Sequence, residues 1–138
     1  MKTLFKTALL MSLLQLISSP AAAQINLVQN GSFEDYTICP SNAFEVENCI
    51  GWYSAANTPD YFNVCASLLP LGTGVSVPSN SYGFQYAYQG NAYMGAGMLC
   101  PDNIREIIRG TLIDSLALGI KYYISKLSKV PFIIEYNV

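Results

Sequence analysis

The sequence predicts an all-β domain of the sandwich or barrel kind. Two observations carry that prediction. Short runs rich in aromatic residues recur along the chain, each bounded by Gly, Pro, Asn or Ser, as strands joined by turns would be. Tyr82, Phe84, Tyr86 and Tyr88 stand at strict period two, so a strand carries all four rings on one face and Gly83, Gln85 and Ala87 on the other. Composition agrees. A length of 138 residues suits one domain, and a chain 51% hydrophobic and 12% charged is too apolar for intrinsic disorder.

The same composition narrows function. A formal charge of −2 lacks the basic patch that a phosphate-backbone binder needs, so no nucleic-acid partner is expected. Histidine is absent. That removes Ser-His-Asp and Cys-His nucleophile systems, His-containing zinc sites and the commonest general base. Neither a phosphate-cradling glycine loop nor a dinucleotide fingerprint occurs. The expectation is a protein that is not an enzyme.

Residues 1–23 have the build of a Sec-type export signal. Lys2 and Lys6 form a positive start, Ala8 to Ile17 an apolar stretch, and Ala21, Ala22 and Ala23 the small residues of a cleavage site. The stretch falls short of the ~20 residues needed to span a bilayer. No cysteine follows the site, so no lipid anchor is indicated. Cleavage before Gln24 leaves 115 residues with five basic and nine acidic groups, a charge of −4. The expected location is the periplasm, the cell surface or the medium, with no transmembrane span in the mature chain.

Taken in order, Leu27-Val28 and Ser32 to Tyr36 flank Asn30-Gly31, a turn or bulge signal. Extended pieces follow at Ile50 to Tyr53, Tyr61 to Cys65, Tyr82 to Tyr88 and Ala92 to Gly95. The next segment is ambiguous. Asp102 is placed to cap a helix with Ile104, Ile107 and Ile108 on one face, ending at Gly110. Alternation from Glu106 reads equally well as a strand. Past the turn-like Leu118-Gly119, Tyr122 to Ser125 reads as a strand.

Cys39, Cys49, Cys65 and Cys100 are an even set in an exported chain, so two disulfides are expected, with three connectivities open. A four-thiolate zinc site would bring close pairs, whereas these steps are ten, sixteen and thirty-five residues.

The segment Asn26-Leu-Val-Gln-Asn-Gly-Ser-Phe-Glu34 resembles the opening strand of galactose-binding-like jelly-roll domains, among them many carbohydrate-binding modules. A longer series is more specific: Tyr36-Thr-Ile-Cys-Pro40, Gly51-Trp-Tyr53, Thr58-Pro-Asp-Tyr-Phe-Asn63 with Cys65, Val77-Pro78, Tyr82-Gly-Phe-Gln85, Gly90-Asn-Ala-Tyr93, Arg105-Glu106 with Ile108, and Lys121-Tyr-Tyr123. It is similar to the N-terminal domain of exported Bacteroidetes-type surface proteins, which often carry an OmpA-like or a sorting domain further along. The resemblance implies a jelly-roll, galactose-binding-like β-sandwich over residues 24–125, with Arg105 to Leu112 as a strand. It also implies a Cys39–Cys65 bridge, leaving Cys49–Cys100. The local alternative is Cys39–Cys49. Residues 126–138 match nothing in the pattern. They read as a divergent tail on a truncated sandwich, which is expected to aggregate or to melt broadly at low temperature.

Three constellations were candidates for chemistry. Trp52, Tyr53, Tyr61 and Tyr86 suit a sugar-stacking platform, because flat rings fit the C–H faces of pyranoses. The competing expectation is that a same-face aromatic row fills the sandwich core. Glu34 and Asp35 sit where some jelly-roll modules hold a structural calcium ion, which takes several hard oxygen ligands, Asn30, Asp60 and Asp102 being further donors. Glu45 and Glu47, two apart, would share a strand face as a glycosidase pair, although such acids usually come from different strands. The reading favoured overall is a cell-surface recognition module for a glycan or another envelope component. Its rival is a structural or scaffold domain with no small ligand.

Overall fold

The computed structural model describes residues 25–68, 74–97 and 104–126. Among these, the regular elements are strands and two short 3-10 turns, so the architecture is all-β. The strands are β1 (Trp52–Ala56), β2 (Asp60–Asn63), β3 (Ser79–Asn80), β4 (Gly83–Phe84), β5 (Ala92–Gly95) and β6 (Ile107–Gly110). Strand pairing among the described residues is antiparallel and nested: β1 with β6, β2 with β5, β3 with β4. A bridge from Val28 to Leu112 extends the nesting outward by one step. The strand order thus runs in to the β3–β4 hairpin and back out, as three separate two-stranded sheets, while a Tyr36–Cys49 bridge lies outside the nest.

Local chemistry accounts for the entry. Asn30 takes φ 48°, which asparagine tolerates better than most residues. Its side chain ties the turn to later segments: Nδ2 donates to Asp35 O at 2.7 Å and Ile50 O at 2.9 Å, and Oδ1 accepts from Asp35 N at 3.1 Å. The Asn30 carbonyl also accepts from Trp52 Nε1 at 3.0 Å. The turn predicted at Asn30-Gly31 is thus where the amino-terminal segment is fastened to β1.

In β1 the exposed positions are Tyr53 and Ala55, while Trp52, Ser54 and Ala56 are half-buried. The register with β6 shifts between Ser54 and Ala56, the mark of a bulge. Gly110 lies opposite Trp52, and a β-carbon there would come within 2.9 Å of the indole ring. Glycine lets the tryptophan lie flat across β6.

β2 is buried on both faces. Because neighbours alternate, Phe62 enters a core cluster with Ala66, Val75 and Val77, joined by Cys39 and Tyr93. Tyr61 enters a second with Cys49 and Ala92, joined by Phe33, Trp52 and Met94. Across the β2–β5 register, Phe62 faces Tyr93 with rings stacked at 4.9 Å.

Several sequence expectations hold. Ala92 to Gly95 is a strand, residues 107–110 are a strand and not a helix, and Leu118-Gly119 lies in a turn, with Gly119 at φ 77°. Others are corrected. Only Gly83–Phe84 of the 82–88 run is paired, because its partner β3 has just two residues. Tyr82, Phe84, Tyr86 and Tyr88 are 61–80% exposed, so this row does not fill the core. Tyr122 to Ser125 forms no strand and its side chains lie largely in solvent. Residues 1–23, and the tail beyond Lys126, lie outside the described residues.

The Cys39–Cys65 bridge is present, with Cα atoms 6.0 Å apart. Cys49, expected to join Cys100, instead carries a free buried thiol. It accepts from Asn30 Nδ2 at 3.3 Å and lies 3.7 Å from Phe33 O, a hydrogen-bonded seat inside the second cluster. Cys100 lies outside the described residues.

Candidate functional site

The four aromatic residues proposed as a stacking platform are not brought together as one. Tyr61 is fully buried; its hydroxyl donates to Phe33 O at 2.8 Å and accepts from Asn63 Nδ2 at 2.7 Å. Burial pushes its phenol well above the usual range. Trp52 packs on Phe33 with ring centroids 4.8 Å apart and spends its N–H on Asn30. Both are structural residues. Tyr53 is exposed on β1 opposite Arg109, whose guanidinium carbon lies 6.0 Å from the ring centre. Tyr86 is exposed and meets Phe84 edge-on at 5.2 Å. What the structure presents is therefore an exposed Phe84–Tyr86 pair, with Tyr88 also exposed two residues on.

The paired acids also separate. Glu45 and Glu47 lie on no strand; a 3-10 turn, Val46–Asn48, runs from there, and with about three residues per turn, positions two apart do not share a face. Glu45 accepts from Ser41 N at 2.7 Å and Asn48 Nδ2 at 3.1 Å. Glu47 accepts from Ser54 N at 3.2 Å. Each holds a loop.

The calcium donors are likewise committed to separate tasks. Asp60 is buried in β2 and accepts from Phe44 N at 2.8 Å; desolvation raises its carboxyl pKa. The Asn30 side chain is spent on the turn. Asp35 is exposed, its amide tied to Asn30. Among the described residues no three His, Cys, Asp or Glu side chains converge, and Asp102 lies outside them.

Glu34 has another setting. It lines an open groove of about 430 Å³ with Tyr36, Asn63, Val64, Cys65 and Asn91. Its Oε1 accepts from Asn91 N at 2.7 Å and its Oε2 from Asn91 Nδ2 at 3.2 Å. The carboxylate rests directly against Gly90, which has φ 69° and where a β-carbon would collide with it. Asn91 is anchored in turn, its carbonyl accepting from Val64 N at 3.0 Å. Asn63 forms the floor, its side chain engaged with Tyr61 OH and Cys65 N. The Cys39–Cys65 bridge stiffens that wall. Tyr36 remains 39% exposed, so the groove offers an aromatic ring, an amide and a carboxylate held in place.

Sequence reasoning singled out Glu34 for a metal but missed Tyr36, Asn63 and Asn91 as its neighbours. Glu34 and Asn91 are 57 residues apart, and the Gly90-Asn91 pair announces only a turn. No protein-family model, curated protein or solved structure matches the chain.

Proposed function

We propose that this chain is an exported, non-enzymatic recognition module of jelly-roll type whose ligand is a carbohydrate of the cell envelope or its surroundings. The observation that carries the reading is the exposed aromatic set: Phe84 and Tyr86 meet edge-on at 5.2 Å, and both, with Tyr88, are more than 60% exposed. A monomer gains nothing by displaying adjacent rings to water, whereas the apolar C–H face of a pyranose stacks on such rings. The nested antiparallel pairing is the order in which jelly-roll strands wrap, which supports the finer fold. The disulfide fits an oxidising compartment. No described helix is long and apolar enough to cross a membrane.

The test is a printed glycan array probed with the full chain, exported with its own leader, beside a Tyr86→Ala variant. Saturable binding to a defined set of glycans, weakened in the variant, is the expected result. Absence of binding across neutral and acidic glycans alike refutes the reading. The scaffold reading then takes its place. One observation favours that rival: Ile113, Leu116, Leu118, Ile120 and Ile124 are all mostly exposed, as a surface awaiting another part of an assembly would be.

A further inference from the structure

We infer that the groove beside Glu34 is the specificity subsite of this surface, and that it takes a neutral sugar by two adjacent hydroxyls. The inference rests on the carbohydrate reading above and names the class of sugar.

The chemistry starts at the carboxylate. An ionised glutamate has about four lone-pair positions and donates nothing. Asn91 uses two of them, which leaves two on the same rigid group. Two hydroxyls on adjacent sugar carbons present their protons at the spacing of two carboxylate oxygens. Each bond is charge-assisted, and so stronger than one between neutral groups. Holding Glu34 in place beforehand removes the cost of ordering a flexible side chain on binding. The close packing of that carboxylate on Gly90 means the chain has glycine where any side chain would expel it.

The remaining walls fit the same guest. Tyr36 presents a partly exposed ring for the sugar's C–H face, and the exposed Asn91 amide adds polar capacity at the rim. Among the lining residues none is basic. A carboxylated, sulfated or phosphorylated sugar would therefore place its negative charge beside Glu34 with no cation to offset it. The groove selects against acidic glycans.

The exposed aromatic residues lie close to the groove along the chain. Tyr88 precedes Asn91 by three residues, a span of at most about 11 Å. These rings supply contact that tolerates many sugars, and the groove supplies direction and choice.

The experiment compares the full exported chain with Glu34→Gln, Tyr36→Ala, Asn91→Ala and Tyr86→Ala on an array carrying matched neutral and carboxylated glycans. Each variant's thermal melt is recorded alongside. Expected are preference for neutral glycans, binding roughly 10- to 100-fold weaker for Glu34→Gln, and a smaller loss for Tyr36→Ala. If Glu34→Gln does not fold, Asn91→Ala decides in its place, because it keeps the backbone bond to Glu34 and removes only the side-chain one; a loss of binding supports the inference and none overturns it. Binding that falls in Tyr86→Ala but is untouched in all three groove variants overturns the groove and leaves the carbohydrate reading standing. Preference for acidic glycans also overturns it. A chain that binds no glycan overturns both together.

Discussion

Breaking the Cys39–Cys65 bridge is the perturbation whose size follows most directly from the structure. The bridge closes a loop of 26 residues. In the chain-entropy account, such a closure withholds about 3.5 kcal/mol of conformational freedom from the unfolded state at 25 °C. The native state keeps its geometry without it, because Cys39 is already packed against the Phe62 cluster and Cys65 sits in the 3-10 turn Val64–Leu68 after β2. Domains are stable by only about 5–15 kcal/mol, so the loss is a large share of the whole. At roughly 4 °C per kcal/mol for a domain of this size, the Cys39→Ala/Cys65→Ala double variant melts about 14 °C below the oxidised parent. The assay is circular dichroism melting of the variant, the parent, and the parent in excess reductant. The variant and the reduced parent are expected to coincide. Non-reducing peptide mapping checks the connectivity. A variant melting within about 3 °C of the parent refutes the loop-closure argument, and a Cys39–Cys49 peptide refutes the pairing itself.

Gly110→Ala forces a methyl group to within 2.9 Å of the Trp52 ring and should destabilise the chain by about 1–3 kcal/mol. Urea unfolding followed by fluorescence of the single tryptophan measures this, and an unchanged midpoint would contradict the packing. Burial pushes the Cys49 thiol up to about 12, so it stays protonated and should resist alkylation at pH 8 in the native chain while reacting readily in urea; mass spectrometry of the labelled peptides reads it. The sign of the linked stability follows: the folded state holds this proton more tightly, so the stabilisation is complete below the ordinary thiol range and declines as pH rises from about 9 towards 12. The exposed apolar residues between Ile113 and Ile124 predict self-association, seen by light scattering after size exclusion as mass rising with concentration. A monodisperse monomer with a sharp melt at about 45–65 °C would show that these residues leave the fold self-sufficient.

How far the sequence alone determined this protein is seen by comparing particular segments. The turns at Asn30-Gly31 and Leu118-Gly119 and the strand at residues 92–95 were legible, because backbone preference and pleat alternation act over a few neighbouring residues; residues 107–110 read equally well as helix or strand until their pairing with β1 decided it. The absence of histidine and the acidic balance were equally plain, since they need no geometry. The row from Tyr82 to Tyr88 was not. Its period says that the rings share a face, but whether that face lies inside depends on a partner strand, and β3 is two residues long. Tyr61 went the other way, from candidate platform to buried core, and Trp52 became a half-buried packing residue, because Phe33, Asn30 and Gly110 hold them from distant parts of the chain. Cys49 looked like half of a bridge until the fold buried it against Asn30 and Phe33. The groove is the clearest case: the β2–β5 pairing sets Asn91 beside Asn63, and the Tyr61 hydroxyl on Phe33 O brings the segment that carries Glu34 to it. Contacts across tens of residues are made by tertiary packing, and no local pattern encodes which carboxylate that packing will leave facing solvent with an amide and a ring beside it.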